Sequence, residues 1–405
     1  MSVFADDDVV VASTARTPIG RARKGSLVSM RPDDLAVIAF GEAVRRVPGL
    51  TYDDVDDLYL GNAEPYGEHG QNIARRVAIL LGSDRLPGAT VNRFCSSSVL
   101  ATRMAFHALK AGEGDAYLVG GVECTSRNIP EDPQPNPLFD GTVERVQQQL
   151  ASGTWTDPRG EGLLPAYYVM MGLTAELVAR QTGTTRQMQD EFAALSQQRA
   201  VASWEAGFFD NEIVPVTLAD GTVVTKDDGP RPGTTVETLS GLNPVFIPDG
   251  TVTAGNACPL NDGASAAVLM TGRKAKELGI QPRARILSSG VSALSPELMG
   301  LGPIGASRQA LGRAGLTAAD IDVMELNEAF AAQVVPSAKE IGIPIEKTNP
   351  HGGAIALGHP FGSTGTRMLG TLINDLHTDG GQFGLLTLCV GGGQGMALVV
   401  EALRD

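Results

Sequence analysis

The chain of 405 residues has little cysteine, few aromatic residues and a shortage of positive charge. Four cysteines are too few for a disulfide scaffold, and their positions contain no closely spaced pair of the kind that binds a structural metal. The 46 acidic residues outnumber the 32 basic ones, and the net charge of −14 disfavours non-specific binding to nucleic acid or to a membrane surface. We therefore expect a reduced, cytoplasmic protein.

Signals for membranes, export and cofactors are missing as well. No run approaches the ~18 uninterrupted apolar residues of a membrane-spanning helix, and the first eight residues do not resemble a signal or transit peptide. The sequence has neither a P-loop nor a dinucleotide-binding glycine fingerprint. No cofactor and no metal site are therefore expected, and the 42% hydrophobic content fits an ordinary globular protein.

Glycine is abundant instead, with 49 residues, and many of them flank three reactive side chains. Cys95 is followed by three serines, His359 lies in Gly358-His359-Pro360, and Cys389 precedes Gly391-Gly392-Gly393. Small residues let backbone N–H groups approach closely, which suits a nucleophile or an oxyanion. Helix dipoles and a nearby imidazole are expected to lower the pKa of Cys95 and favour its thiolate. The alternative for both cysteines is an inert core position.

Short apolar strands alternate with helical stretches in two parts of the chain, which predicts a layered α/β fold. The first part covers residues 9–120 and the second about 283–403. Between them, residues 125–250 are rich in proline and polar residues and contain one strong helical pattern, Leu173–Trp204. This middle segment is interpreted as an inserted subdomain that covers a ligand, because its periodic apolar stretch argues against a flexible linker.

The two parts share a sequence spacing. Cys95 precedes Arg103-Met104 by the same interval as His359 precedes Arg367-Met368. This match indicates an internal duplication. The duplication would place Cys95 and His359 at equivalent helix N-termini and bring them together across a pseudo-dyad.

Together with Asn327-Glu328-Ala329-Phe330-Ala331, these motifs resemble the thiolase family, whose members make and break carbon–carbon bonds of acyl-CoA thioesters. The resemblance runs from about Val9 to Val400. It implies an α/β fold with duplicated βαβαβαββ halves that form a five-layered α-β-α-β-α core, plus an inserted loop subdomain. Residues 1–124 and 251–278 would form the N-terminal half, residues 125–250 the loop subdomain over CoA, and residues 279–405 the C-terminal half.

The resemblance also implies a role for each reactive residue. Cys95 would be the acylated nucleophile, His359 its base, and Cys389 the acid and base that exchanges a proton with the substrate α-carbon. Backbone N–H groups of Cys95 and Gly391 would form an oxyanion hole. Asn327 would hold a water that polarises a thioester carbonyl together with His359. Asn327 could also cap the helix that follows it.

A further group of residues is implied in CoA binding. The segments around Met170-Met171-Gly172 and Thr253–Cys258 would contact pantetheine, and Arg231 is a candidate for the nucleotide end. Cys258 stands where the family often has serine, and a thiol is a weaker hydrogen-bonding group. The candidate substrate-binding residues are Met170, Met171, Arg231, Ala254, Cys258 and Phe330.

The implied reaction is CoA-dependent thiolytic cleavage of a 3-ketoacyl-CoA, or the reverse Claisen condensation, by a ping-pong mechanism. Breakdown of fatty acids by β-oxidation is the first expectation, in a homodimer or homotetramer whose partners are acyl-CoA and CoA. A decarboxylating condensing enzyme of the same fold would carry a histidine at position 327 and would not need Cys389. A catalytically silent protein that binds lipid or a partner would tend to lose Cys95, His359 or Cys389. His351 is expected to be a bystander at the edge of the site.

Overall fold

The computed structural model describes residues 4–128 and 135–404. The strands are β1 Val9–Arg16, β2 Gly20–Arg21, β3 Asp57–Gly61, β4 Gly88–Val91, β5 Ala116–Cys124, β6 Val216–Thr217, β7 Val223–Val224, β8 Asn261–Thr271, β9 Ala284–Ala293, β10 Val323–Leu326, β11 Phe383–Val390 and β12 Gln394–Ala402. The α-helices are α1 Pro32–Arg45, α2 Ile73–Leu80, α3 Ser97–Ala111, α4 Thr142–Ser152, α5 Met171–Thr182, α6 Arg186–Glu205, α7 Val236–Ser240, α8 Gly272–Glu277, α9 Gly302–Ala314, α10 Ala331–Ile341, α11 Ala354–Leu357 and α12 Thr364–Asp379. Within the described ranges, none of these helices combines the length and the apolar character needed to cross a membrane.

The main sheet has the strand order β10-β11-β12-β9-β1-β8-β5-β3-β4, with β2 paired to β8. The strand β3 runs parallel to β4 and β5, and β10 runs parallel to β11, whereas the other neighbours are antiparallel. The pairing of β1 with β9 is short, with Val10 opposite Arg285 and Val11 opposite Ala284. The sheet therefore consists of two similar halves that meet at a narrow seam.

Alternating side chains along the strands separate the molecule into layers. On β5, Leu118 packs into the outer core that contains α1 and α2, whereas Tyr117 and Val119 face a central core shared by α3 and α12. On β12, Leu398 faces the same central core, and Val399 packs on the outer side with α9 and α10. This period of two buries both faces of each half-sheet. The predicted five-layered α-β-α-β-α fold is confirmed.

The predicted single helix Leu173–Trp204 is wrong, because two helices, α5 and α6, occupy this stretch. Gly183 adopts a left-handed φ of 69° and ends α5, as glycine commonly does after a helix. The Thr185 side chain then accepts a hydrogen bond from the Met188 N–H and caps α6. The apolar periodicity of the sequence continues across Gly183 and Thr185, so it does not reveal the break between the two helices.

Candidate active site

The N-termini of α3 and α12 meet in the central layer. The Ser98 Oγ on α3 accepts a hydrogen bond of 3.0 Å from the Thr366 N–H on α12. Gly365 permits this approach, because a Cβ there would lie 2.3 Å from Val99 Cγ2. Cys95 lies just before α3 and His359 just before α12, so the structure brings together the two segments that carry these residues.

Cys95 lies in a 3₁₀ turn, Phe94–Ser96, in which Phe94 has a left-handed φ of 43°. Its thiol is half-buried, and the Gly391 backbone N–H donates a hydrogen bond to it. Burial raises the pKa of Cys95 to about 11, and the N–H groups of Gly391 and Cys95 offset this only in part. The predicted lowering of the Cys95 pKa is therefore wrong, because desolvation outweighs the local dipoles.

His359 is held by hydrogen bonds at both ring nitrogens. Its Nδ1 lies 2.7 Å from Thr364 Oγ1, and the Thr364 hydroxyl in turn donates to the Pro360 carbonyl oxygen. The threonine oxygen must therefore accept from Nδ1–H, which leaves the Nε2 lone pair available as a base. Burial, reinforced by the charge of Arg367, lowers the pKa of His359 to about 3. The imidazole is therefore neutral near pH 7.

Asn327 follows β10 and faces His359. Its Nδ2 lies 3.2 Å from His359 Nε2, and its backbone N–H donates to the Thr387 carbonyl. The helix α10 begins at Ala331 with Phe330 in the N-cap position, so the alternative that Asn327 caps this helix is wrong. Among the residues that the structure describes, no group donates to the buried Asn327 Oδ1. This oxygen is therefore a spare acceptor beside the imidazole.

Cys389 lies near the end of β11, beside the thiols of Cys95 and Cys258. It is fully buried in an apolar cluster with Ala329 and Phe330, and Cys258 packs against the same cluster. Burial raises the pKa of Cys389 well above its usual value, and the neighbouring Cys95 and Cys258 thiols raise it further. Cys389 is therefore a protonated thiol near pH 7 and can donate a proton to an adjacent atom.

Two buried glutamates, to which the sequence analysis gave no role, hold the loops around these residues. Glu123 Oε2 accepts from the backbone N–H groups of Ala63 and Gly362, and so ties β5 to the turn after His359. Every hydrogen bond to its two oxygens comes from an N–H donor, so both oxygens of Glu123 act as acceptors. Burial nevertheless raises the pKa of Glu123 to about 8. Glu123 follows Gly120-Gly121-Val122 near the end of β5, and no local sequence pattern shows its distant partners.

Glu328 performs a similar task on the other side of the site. Its Oε2 accepts from Ser196 Oγ and the Ile355 N–H, and its Oε1 accepts from Asn349 Nδ2. These bonds connect the residue after Asn327 with α6 and with the glycine-rich segment that leads to His359. Glu328 is thus a positioning residue for both. The sequence signal was its place in the Asn327–Ala331 motif.

The predicted CoA-binding residues do not all lie together. Met171 and Cys258 pack against the apolar cluster that contains Phe330 and Cys389. Met170 lies at the start of α5 with 60% of its surface exposed. Ala254 and Arg231 are exposed outside this cluster, and the Arg231 backbone N–H donates to Gln197 Oε1. The structure thus collects Met171, Cys258 and Phe330 near the thiols and leaves the other three on the surface.

Two models of known protein families together match nearly the whole chain. A family model described as the thiolase N-terminal domain matches residues 9–273, and one described as the thiolase C-terminal domain matches residues 280–402. The chain belongs to the thiolase family. The predicted family and the predicted enzyme class, an acyltransferase, are confirmed.

Named relatives cover nearly the whole chain of this thiolase. A 3-ketoacyl-CoA thiolase of Bacillus subtilis is 42% identical over 97% of this chain and 99% of its own. A beta-ketoadipyl-CoA thiolase of Pseudomonas aeruginosa has the same identity and the same coverage. The crystal structure of the Bacillus anthracis acetyl-CoA acetyltransferase superposes with a TM-score of 0.87 at 40% identity, covering 98% of this chain and 99% of that one. Thiolase function therefore accounts for the site.

The raised pKa of Cys95 has a measurable consequence in this thiolase. Only the thiolate form of a cysteine reacts with iodoacetamide. Because the pKa of Cys95 is about 11, the fraction of Cys95 present as thiolate rises about tenfold per pH unit up to nearly pH 10. We expect the alkylation rate of Cys95, followed by peptide mass spectrometry in the absence of CoA, to keep rising from pH 7 to pH 10. A plateau below pH 8 would instead indicate the lowered pKa that the sequence suggested. Because His359 is already neutral, no inflection from its titration is expected between pH 5 and 8.

Proposed function

We propose that this thiolase cleaves 3-ketoacyl-CoA with CoA to give acetyl-CoA and a shortened acyl-CoA, and catalyses the reverse condensation, through an acyl-Cys95 intermediate. The observation that carries the proposal is the convergence of a thiol under the Gly391 N–H, a neutral imidazole whose Nε2 carries no proton, and a second, protonated thiol at Cys389. The names of the relatives support the same substrate class.

The first half-reaction transfers the acyl group to Cys95. As the Cys95 sulfur bonds to the 3-keto carbon, its proton moves to His359 Nε2. The N–H groups of Cys95 and Gly391 stabilise the oxyanion. Collapse of the adduct breaks the bond between the α and β carbons and leaves the enolate of acetyl-CoA. Cys389 then donates its proton to the α-carbon of that enolate.

The second half-reaction restores the enzyme. The Cys389 thiolate takes the proton of incoming CoA, and the CoA sulfur attacks acyl-Cys95. The departing Cys95 sulfur recovers its proton from His359, so protons balance over the cycle. Asn327 Nδ2 and His359 Nε2 are close enough to hold one water between them and the thioester carbonyl of the leaving acetyl-CoA. This water would stabilise the enolate oxygen.

CoA is proposed to approach across the middle segment. Residues 125–250 form the covering subdomain in this proposal, between halves made of residues 1–124 with 251–278 and of residues 279–405. Support comes from Phe246, which packs with Met171 against the cluster around Phe330 and Cys389. Met170, Ala254 and Arg231 would contact CoA from the surface, with Arg231 at the nucleotide end. No cofactor besides the substrate CoA enters these steps.

A cytoplasmic homodimer or homotetramer that acts in β-oxidation is proposed as the biological setting. The edge strand β4 is partly exposed along its length, and the neighbouring Ile79, Leu80 and Phe94 expose 45%, 51% and 37% of their surfaces. Large exposed apolar side chains beside an open sheet edge suit a subunit interface between N-terminal halves. Light scattering of the purified protein would give the particle mass and test this proposal.

A substrate panel tests the proposed activity. CoA-dependent cleavage should be measured with acetoacetyl-CoA, a longer 3-ketoacyl-CoA and 3-ketoadipyl-CoA, the last because one relative is named for it. We expect cleavage of at least one of them to follow ping-pong kinetics, because the acyl group remains on the enzyme between the two substrates. The ratio of kcat/KM values would assign the acyl chain. Absence of cleavage of all three by folded protein would contradict the proposal.

A further inference from the structure

A second polar cluster lies away from the thiols, beside a cavity of about 550 Å³. The cavity is lined by residues of α6, of the turn that follows it, and of α12, and His351 faces it from the loop before α11. Two carboxylates, Asp375 and Asp379, lie one helical turn apart in the last turns of α12. Side-chain ligand atoms of His351, Asp375 and Asp379 all lie within 4.8 Å of one another.

The imidazole of His351 is fixed in orientation. Its ring stacks on Phe208 with 3.5 Å between centroids and 8° between planes. Its Nδ1 lies 2.7 Å from Ser203 Oγ, on α6. A polar partner at one ring nitrogen is the usual way in which proteins fix a histidine tautomer and aim its other nitrogen at a metal. In His351 that other nitrogen, Nε2, is directed to the acidic residues.

Asp375 forms a close pair with this nitrogen. Its side chain is fully buried, and its Oδ1 lies 2.9 Å from His351 Nε2. Within residues 4–128 and 135–404, neither oxygen of this carboxylate receives a hydrogen bond, and His351 Nε2 donates none. Leaving a buried carboxylate unsatisfied is costly. A separation near 3 Å between two ligand atoms is what a shared cation at about 2.1 Å from each produces.

Local electrostatics also call for a positive charge at this point. Asp375 and Asp379 lie one turn apart, where like charges repel, and both are near the C-terminus of α12, where the helix dipole disfavours anions. A bound cation would reverse each of these costs.

We propose that His351, Asp375 and Asp379 bind a divalent transition-metal cation of the Mn²⁺ or Zn²⁺ class. One imidazole and two carboxylates are ligands that such ions accept, and water would complete the coordination. Asp379 is exposed, so the ion would enter from solvent on that side. The site is not part of the thiolase chemistry proposed above and does not depend on it.

The bound ion would stabilise the segment that carries His359. His351 precedes the glycine-rich run that leads to His359, whereas Asp375 belongs to the helix that begins at Thr364, the partner of the imidazole. A cation between them would fix the two ends of this segment against each other. Because it would bind the folded state alone, it would raise the melting temperature by mass action. The sequence did not reveal the site, because its three ligands follow no short metal motif.

Titration of the purified, chelator-treated protein with MnCl₂ tests the proposal, with free Mn²⁺ followed by electron paramagnetic resonance. Mn²⁺ is chosen because it prefers oxygen and nitrogen ligands, so the active-site thiols do not compete. We expect one ion per chain, and an affinity at least about tenfold lower in Asp379→Asn and about tenfold lower in Ser203→Ala. The exposed Asp249→Asn serves as a matched control, and it and Cys95→Ala should bind as the wild type does.

Three results would overturn the site. The first is an absence of Mn²⁺ binding, which would leave His351 and Asp375 as a simple side-chain pair. The second is unchanged affinity in Asp379→Asn, and the third is loss of binding in Cys95→Ala. A rise in melting temperature with MnCl₂ that disappears in Asp379→Asn supports the site independently of any activity. Asp379→Asn replaces an exposed side chain, so it should remain folded.

Discussion

Replacement of Cys95 by alanine is expected to abolish both the cleavage of 3-ketoacyl-CoA and the formation of an acyl-enzyme. Alanine has no atom that can bond to the 3-keto carbon, and Cys95 is the thiol to which the Gly391 N–H donates. For a residue that forms the covalent intermediate, kcat/KM should fall at least about a thousandfold. Steady-state assays measure the loss, and intact-protein mass spectrometry after addition of acetyl-CoA shows whether the adduct forms.

The matched control for this variant is Cys124→Ala. Cys124 is likewise a buried cysteine, at the end of β5, and its backbone N–H rather than its thiol binds His69. Its replacement should leave the adduct and the cleavage rate within about twofold of the wild type, with at most a modest loss of stability from the small cavity. An acyl adduct that persists in Cys95→Ala and disappears in Cys124→Ala would refute the assignment of the nucleophile.

Much of the fold could be predicted from local signals. The alternation of strands and helices, with strand side chains facing two cores, follows from a period of two that is visible in the chain. The duplication was predicted from two short spacings, and the N-termini of α3 and α12 meet through the hydrogen bond from the Thr366 N–H to Ser98 Oγ. The break between α5 and α6 was missed because Gly183 and Thr185, though typical end signals, interrupt an otherwise continuous apolar pattern.

The electrostatics of the candidate site could not be predicted from sequence. The direction of the Cys95 shift depends on a balance between burial and N–H dipoles, and one of those dipoles belongs to Gly391, which is far away in the sequence. The same distance conceals the partners of Glu123, of Glu328 and of Asp375. Motifs identify which residues are reactive, whereas tertiary packing sets their protonation. The roles given to Asn327, Gly391 and the CoA-binding residues remain predictions.

The separate role of Cys389 leads to an expected split between two half-reactions. In the proposed mechanism, acylation of Cys95 by acetyl-CoA requires no proton at a carbon atom, whereas cleavage of a 3-ketoacyl-CoA requires Cys389 to protonate the departing enolate. In Cys389→Ala, cleavage should therefore fall by about 10²–10⁴-fold, the usual contribution of a general acid. Exchange of labelled CoA into acetyl-CoA forms no enolate, so Cys389 keeps its proton and His359 alone can pass a proton between Cys95 and CoA. The exchange rate should therefore stay within about tenfold of the wild type.

Cys389→Ser separates the acidity of this side chain from its size. Serine keeps a proton donor of similar shape, but its hydroxyl is a much weaker acid than a thiol, so cleavage should remain low while the exchange rate is preserved. If both variants lost exchange and cleavage in equal measure, Cys389 would instead act by shaping the pocket around Cys95. If exchange persists while cleavage is lost, Cys389 is the acid that protonates the enolate after the carbon–carbon bond breaks. Cys389 holds this proton because its pKa is raised.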